Sequence, residues 1–207
     1  MLINYPFSRK SEHIVSEYIS GNQILAFPTE TIYGLGGNAF SKNVVDRIFS
    51  IKDRPRNKPL PLLITTEWLH RLCKWNDSRI NNLIEVFWPG PLTLILECKH
   101  DLPEHLKNNS GTLAVRFSSS HAVQRLVEIG ECPIIGTSAN RSGFPACSSA
   151  KKVETQLKDQ VDLVIDGGET SGNLASTIVN CLTEPFKIVR NGIISSTDLN
   201  QICEVQQ

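Results

Sequence analysis

The segment Pro-Thr-Glu-Thr-Ile-Tyr-Gly-Leu-Gly-Gly occupies residues 28–37 and directly follows the apolar run Ile24–Phe27. A short apolar run that ends at a proline predicts a β-strand. The segment then offers two hydroxyls, a carboxylate and three glycines, which allow the backbone to approach a ligand closely. We therefore expect a ligand-binding turn at the end of an early strand.

The glycines of this segment do not predict a dinucleotide site. Residues 34–39 match G-x-G-x-x-A, and Asp53 follows Gly34 by 19 residues. A dinucleotide fold places the first glycine directly after the strand and the acidic residue at the end of the next strand. Asp53 instead follows a predicted helix. The sequence contains no Gly-Lys pair, which excludes a P-loop.

Apolar periodicity along the chain predicts short helices and strands in irregular order. Helices are expected at 11–19, 41–54, 66–73, 77–87, 119–129, 149–157 and 195–203, and strands at 24–27, 60–64, 92–97, 113–117, 133–136, 163–165, 177–179 and 187–189. This pattern favours an α/β fold in which helices surround a mixed, twisted sheet. Because no repeat or linker interrupts the chain, we expect one domain over 1–207, with its core at about 11–192.

The composition is that of an ordinary globular protein. The 21 Lys and Arg balance the 21 Asp and Glu among 207 residues, and 40% of the residues are hydrophobic, which excludes a disordered chain or a polycation. No apolar run reaches the roughly 18 residues of a membrane helix and no signal segment is present, so a cytoplasmic protein is expected. The six cysteines lie 15 or more residues apart and no H-E-x-x-H occurs, which predicts reduced thiols and no protein-ligated metal.

One local basic run stands out in this neutral chain. Residues 52–58, Lys-Asp-Arg-Pro-Arg-Asn-Lys, contain four cations and one anion. Pro55 and Pro59 stiffen the run, which lowers the entropy lost when its cations converge on phosphates or carboxylates. A solvated basic loop is the alternative. We expect Lys52 and Arg54 to face solvent.

A second polar turn follows the strand expected at 133–136. Residues 136–143, Gly-Thr-Ser-Ala-Asn-Arg-Ser-Gly, nearly match the G-x-S-x-G nucleophile elbow of serine hydrolases. Asn140 stands where the second glycine should be, and His121 is the last histidine of the sequence. Both departures argue against a serine hydrolase.

Further polar residues lie on or beside predicted strands. Thr112 and Arg116 share one face of a strand, where the guanidinium could lie at a strand edge or clamp a carboxylate. Ser176 and Arg190 add a hydroxyl and a cation at strand ends. Residues 88–93, Trp-Pro-Gly-Pro-Leu-Thr, predict a rigid turn anchored by an indole.

Taken together, these segments resemble the YrdC/TsaC family of threonylcarbamoyl-AMP synthases. The resemblance rests on P-T-E-T-x-Y-G-L-G, K-x-R-P-x-x-K-P-L, W-P-G-P-L-T, A-V-R, S-A-N-x-S-G, S-T-I and a final Arg-x-Gly, in fixed order over residues 11 to 192. Because the sequence ends soon after Gly192, it resembles the short single-domain form.

The resemblance implies a fold around a large basic cavity and a nucleotidyltransferase reaction. L-Threonine, bicarbonate and ATP, with Mg²⁺ accompanying ATP, would give L-threonylcarbamoyladenylate and pyrophosphate. A partner ligase of the TsaD/Kae type would use this product for the t6A modification of adenosine 37 in tRNA, and weak tRNA binding would be compatible with that role. Such chemistry needs positioned cations for the phosphate oxygens and no covalent nucleophile.

The resemblance also assigns roles to residues of this sequence. The implied catalytic residues are Lys52 and Arg54. The residues implied to bind threonine and the carbamate are Thr31, Arg116, Ser138 and Ser176, with Arg116 facing the threonine carboxylate. The residues implied to bind ATP are Arg54, Lys58, Thr112, Asn140, Ser148 and Arg190. The local motifs around Ser148 and Ser176 allow a one-residue shift.

Two other functions stay open from the sequence. An RNA-binding protein without its own catalysis would also present a concave basic surface, although basic residues outside 52–58 form no stripe with aromatics. A carbamoyl-transfer module, as in hydrogenase-maturation proteins, is disfavoured because no zinc-finger or acylphosphatase-like segment flanks the region.

Overall fold

The computed structural model describes residues 1–55, 60–99, 102–107, 110–170 and 174–207, which form α-helices and two β-sheets. The helices are α1 Arg9–Ser20, α2 Lys42–Lys52, α3 Thr66–Leu72, α4 Ser78–Phe87, α5 His121–Gly130, α6 Ala150–Leu157 and α7 Ser196–Asn200, with a 3-10 turn at Lys158–Gln160. The strands are β1 Leu2–Asn4, β2 Leu25–Phe27, β3 Gly34–Gly36, β4 Leu62–Leu63, β5 Cys73–Lys74, β6 Leu92–Cys98, β7 Thr112–Arg116, β8 Ile134–Ile135, β9 Thr137–Ser138, β10 Leu163–Asp166, β11 Thr177–Asn180, β12 Phe186–Arg190 and β13 Val205–Gln206.

Polar caps explain where the helices begin. The side chains that accept a backbone N–H at helix starts belong to Ser8, Ser41, Asp77, Ser149 and Ser195. Each such oxygen satisfies a donor that the first helical turn leaves without a partner. The predicted helices are therefore present, with ends displaced by a few residues.

The strands divide between two sheets. The five-stranded sheet has the order β1-β10-β2-β3-β9, and the eight-stranded sheet has the order β13-β12-β11-β6-β7-β4-β8, with β5 paired to β6. Both sheets contain parallel and antiparallel pairs. The predicted mixed α/β class is confirmed, whereas the expectation of one sheet is replaced by two.

Several short strands differ from the sequence prediction. Residues 34–36 and 137–138 were expected to be turns, but they form β3 and β9, which pair with each other. Cys73 was expected to end a helix and instead starts β5, opposite Cys98. The last helix ends at Asn200, before the predicted Cys203.

Gly136 joins a strand of one sheet to a strand of the other. Strand β8 pairs with β4 in the eight-stranded sheet, β9 pairs with β3 in the five-stranded sheet, and Gly136 lies between β8 and β9. A Cβ atom at Gly136 would lie 2.4 Å from Cγ of Leu63, so glycine is needed at this crossing. The crossing brings the edges of both sheets to one place.

Two buried apolar clusters hold the helices against the sheets. The larger cluster includes Val44 and Ile48 of α2, Leu69 of α3, Leu83 of α4, and Leu94 and Val115 of the eight-stranded sheet. The smaller cluster joins Val15 and Ile19 of α1 and Val123 and Leu126 of α5 to Leu25, Phe27 and Ile165 of the five-stranded sheet. Within the described ranges, no helix is long and apolar enough to cross a membrane.

Candidate active site

A cavity of about 490 Å³ lies where the two sheets meet. The five-stranded side contributes Thr29, residues 31–34 and Ser138, and the eight-stranded side contributes residues from β4, β6, β7, β11 and β12. Apolar side chains form part of the wall, while Arg54, Arg116 and Arg190 add positive charge. The volume and the few convergent polar groups are typical of a small-molecule site.

Arg116 on β7 is a buried cation of this wall. Its Nη2 atom lies 2.7 Å from Oε1 of Glu30, and its Nε atom donates to the carbonyl oxygen of Gly90 at 3.1 Å. A longer contact of 3.5 Å joins Nη2 to Oγ1 of Thr31. The rigid Trp-Pro-Gly-Pro turn therefore supplies a direct partner for the guanidinium through Gly90.

Glu30 is the counter-charge of Arg116. Ser118 Oγ donates a short hydrogen bond to Oε2 of Glu30, and the backbone N–H of Ser119 donates to Oε1 at 3.2 Å. Burial raises the pKa of Glu30, but the charge of Arg116 and hydrogen bonds from Ser118 and Arg116 outweigh this effect, so the pKa lies below the usual glutamate range. Glu30 is thus ionised at neutral pH.

Arg190 at the end of β12 is fixed by Ser176. Its Nε and Nη2 atoms donate to the Ser176 carbonyl oxygen at 3.0 and 2.7 Å, and Nη2 contacts Ser176 Oγ at 2.9 Å. The Ser176 hydroxyl also lies 2.8 Å from Oγ1 of buried Thr93. Burial, followed by the charges of Arg116 and Arg54, lowers the pKa of Arg190 to about 10, which leaves it charged at neutral pH.

Lys52 is the last residue of α2 and is only 4% exposed, so the expectation that it faces solvent is wrong. Its Nζ atom donates to the carbonyl oxygen of Ser138 at 2.6 Å, and to Oδ1 and the carbonyl oxygen of Asn140 at 2.9 and 3.2 Å. Burial, followed by the charge of Arg54, lowers the pKa of Lys52 to about 8. At pH 7 the ammonium form remains, as three acceptor oxygens require.

Beyond α2, Arg54 of the basic run reaches the cavity. Asp53 adopts the left-handed conformation with φ of 45° and ends the helix. Arg54 is half-buried and lines the cavity, and burial lowers its pKa. Arg54 thus does not lie in a fully solvated loop. Lys58 lies outside the described residues.

The Ser-Ala-Asn turn is held by its own side chains. Ser138 Oγ donates to Oδ1 of Asn140 at 2.6 Å, and Asn140 Nδ2 donates to the carbonyl oxygens of Arg141 and Phe144 at 3.0 and 2.7 Å. Ser142 Oγ donates to the carbonyl oxygen of Lys52. Lys52 and Asn140 thus fix Ser138 at the cavity wall. None of these described contacts involves a histidine that could act as a base.

The structure brings together most residues that the sequence singled out. Those on the cavity wall are Thr31, Arg54, Arg116, Ser138, Ser176 and Arg190. Lys52 and Asn140 lie behind the wall and contact Ser138.

Thr112 and Ser148 lie apart from this wall. Thr112 starts β7 on the same face as Ala114 and is buried. Ser148 Oγ accepts a hydrogen bond from Lys152 Nζ at 2.8 Å, and its backbone neighbours Cys147 and Ser149 line a second, more open pocket.

Sequence reasoning assigned no role to Glu30 or Thr93, although both stand in the quoted motifs. The signal for Glu30 was a carboxylate within a ligand-binding turn. The signal for Thr93 was a hydroxyl at the end of an otherwise structural turn. Across the described ranges, no group of three or more His, Cys, Asp or Glu side chains could hold a metal ion.

Comparison with known proteins yields consistent matches. Residues 17–192 match the Sua5, YciO and YrdC family, described as telomere recombination. The threonylcarbamoyl-AMP synthase of Pyrococcus abyssi is 36% identical over 190 residues, which cover 91% of this chain and 56% of that protein. The Bacillus subtilis threonylcarbamoyl-AMP synthase is 34% identical over 183 residues, covering 87% of this chain and 53% of that protein.

A solved structure matches as well. The crystal structure of P. abyssi Sua5 complexed with L-threonine superposes with a TM-score of 0.92 at 33% identity, covering 100% of this chain and 62% of that one. The chain thus spans about half the length of the curated relatives it matches.

Proposed function

This chain belongs to the Sua5, YciO and YrdC family, and we propose that it is a threonylcarbamoyl-AMP synthase, forming L-threonylcarbamoyladenylate and pyrophosphate from L-threonine, bicarbonate and ATP. The observation that carries this proposal is the convergence of Arg54, Arg116 and Arg190 on one cavity that also presents the hydroxyls of Thr31 and Ser176. Cations and hydroxyls in one enclosed space suit a ligand with a carboxylate, a hydroxyl and phosphates.

The proposed reaction needs charge stabilisation more than a nucleophilic side chain. The threonine amine and bicarbonate first form an N–C bond and lose water, which gives the carbamate. A carbamate oxygen then attacks the α-phosphorus of ATP, an O–P bond forms, and the bond to pyrophosphate breaks. Negative charge on the phosphate oxygens is the main barrier, and fixed cations lower it. We assign this role to Arg54 and Arg190, because both line the cavity and an arginine side chain stays charged at neutral pH.

The same wall would select the amino acid. Arg116 presents a guanidinium, which matches a carboxylate in geometry, and Thr31, Ser138 and Ser176 provide hydroxyls for the threonine side chain. Lys52 would act through the backbone and side chains of Ser138 and Asn140, which it contacts. ATP would enter as its Mg²⁺ complex, with the triphosphate as the ligand of the ion.

The wider roles are part of the same proposal. The adenylate is a reactive mixed anhydride, so a transferase must consume it promptly; a TsaD/Kae-type enzyme that modifies adenosine 37 of tRNA fits this need. With this role we also propose a cytoplasmic location. We also propose that residues 1–207 act as one domain, because both sheets line the same cavity.

The test is incubation with ATP, L-threonine and bicarbonate, with mass detection of the adenylate and measurement of pyrophosphate. Release should require all three substrates. Arg54→Ala should lower turnover by more than about tenfold, as loss of a cation at a developing oxyanion does. The control Arg71→Ala removes an exposed arginine that pairs with Glu67 on α3 and should leave turnover unchanged. Equal release from ATP alone would refute the proposal.

A further inference from the structure

Glu30 contacts a cavity arginine without lining the cavity itself. Its side chain is 19% exposed, and Oε1 lies 2.7 Å from Nη2 of Arg116, whose side chain is 7% exposed. Arg116 lines the cavity wall. The carboxylate therefore lies behind a cation that faces the cavity.

The surroundings of Glu30 fix it in one position. Ser118 Oγ donates to Oε2, and the N–H of Ser119 donates to Oε1. Ser118 is fully buried, and its hydroxyl accepts the N–H of Ser120 at 3.2 Å. Ser120 Oγ in turn donates to the carbonyl oxygen of Pro28 at 2.9 Å, next to the segment that carries Glu30. The network closes on itself, so Glu30 can act as a rigid support.

Arg116 needs such a support because it lies among like charges. Arg54 and Arg190 line the same cavity, and the positive charge of Arg116 contributes to the lowered pKa of Arg190. Without Glu30, the described contacts of the guanidinium would be the Gly90 carbonyl at 3.1 Å and Thr31 Oγ1 at 3.5 Å. Two neutral acceptors offset the repulsion between Arg116 and the other two arginines less effectively than one carboxylate does.

We propose that Glu30 is a positioning residue that holds the Arg116 guanidinium in the orientation that binds the carboxylate of the amino-acid substrate. This inference rests on the proposed function, which supplies an amino acid as ligand. Glu30 acts only through Arg116. Glutamine has the same shape, but its amide is neutral and replaces one acceptor with a donor, so Glu30→Gln removes the support without creating a cavity.

The experiment compares calorimetric binding of L-threonine and of L-threoninamide, which lacks the carboxylate. Glu30→Gln should weaken threonine binding by at least about tenfold, the loss expected for a charge-assisted contact, and should change threoninamide binding by less than about twofold. Arg116→Gln should likewise weaken threonine binding and leave threoninamide binding nearly unchanged. The double variant should bind threonine no more weakly than Arg116→Gln alone, because both changes remove one coupled unit.

The matched control is Glu12→Gln. Glu12 on α1 accepts a hydrogen bond from Arg125 Nε at 2.8 Å, an arginine–carboxylate pair outside the cavity. Its loss should leave threonine binding unchanged. Should Glu30→Gln fail to fold, Ser118→Ala removes one hydrogen bond to Glu30 and should weaken threonine binding by about two- to fivefold with threoninamide unaffected.

The outcomes separate two failures. If the wild type does not bind threonine, the proposed function is wrong. If the wild type binds threonine and Glu30→Gln binds it equally well, or loses threonine and threoninamide to the same extent, the positioning role is wrong. If Ser118→Ala is used instead, the positioning role is also wrong when threonine binding is unchanged, or when the affinities for threonine and threoninamide fall equally.

Discussion

Replacing Lys52 with methionine should destabilise the protein as well as impair its site. The Nζ atom donates to three oxygens of the Ser-Ala-Asn turn at 2.6, 2.9 and 3.2 Å, and the residue is only 4% exposed. Methionine fills a similar volume but donates no hydrogen bond. The Ser138 carbonyl and both Asn140 oxygens would then lose a charged donor in a poorly hydrated place.

The expected loss follows from those contacts. A hydrogen bond to a charged group contributes about 1.5 to 3 kcal/mol, and three bonds from one ammonium are not additive because the turn can relax. We therefore expect a decrease of about 2 to 4 kcal/mol in the free energy of unfolding. For a chain of this length, that corresponds to a melting temperature lower by about 5 to 15 °C.

The assay is thermal and urea denaturation followed by circular dichroism at pH 7. Lys10→Met is the matched control, because Lys10 is an exposed lysine of α1, and its free energy of unfolding should change by no more than about 0.5 kcal/mol. If Lys52→Met melts within about 2 °C of the wild type, Lys52 does not anchor the turn.

Two further changes test the packing and the ion pair. Gly36→Ala should lower the free energy of unfolding, measured by urea denaturation, by at least about 3 kcal/mol, because its Cβ would lie 1.6 Å from the Ile135 carbonyl oxygen. The control Gly111→Ala should lower it by about 1 kcal/mol, because this position has open space and a φ of +67°. Similar losses in the two variants would contradict this packing. Because the pKa of Glu30 is lowered in the fold, its stabilisation is complete above about pH 5 and is lost as pH falls through that pKa. The melting temperature of Glu30→Gln should therefore fall less than that of the wild type between about pH 5 and 3. An equal fall in both proteins would exclude this contribution.

The sequence predicted the helices well because their signals are local. Ser41, Asp77 and Ser149 were expected at helix starts, and each caps the helix that follows it. Strands β3 and β9 were missed because they have only three and two residues, and because glycine, which supplies two residues of β3, is depleted in strands. Gly36 is in a strand because only glycine fits against Ile135, a contact that a single segment cannot reveal.

The site shows the same division between local and distant information. The motifs singled out Arg116, Ser138 and Ser176 as polar candidates, and the fold brings them to one cavity. The partner of Arg116 was not predictable from spacing, because Glu30 belongs to the other sheet region and meets it only after folding. The burial of Lys52 was missed for a related reason, since its acceptors lie at the end of β9 and in the turn that follows, far from Lys52 in the sequence.

The distribution of charge around the cavity links the fold to the proposed chemistry. Lys52 and Arg190 are held mainly by neutral carbonyl and amide oxygens, and Arg116 is held by a carboxylate. Neutral acceptors fix a cation without cancelling its charge, so the cavity keeps a positive field for an anionic ligand. Desolvation lowers the pKa of Lys52 and Arg190, so keeping these side chains charged costs free energy, which the apolar packing of the two sheets must offset. A bound anion would relieve that cost, so phosphate-bearing ligands should bind this cavity more tightly than neutral ligands of equal size.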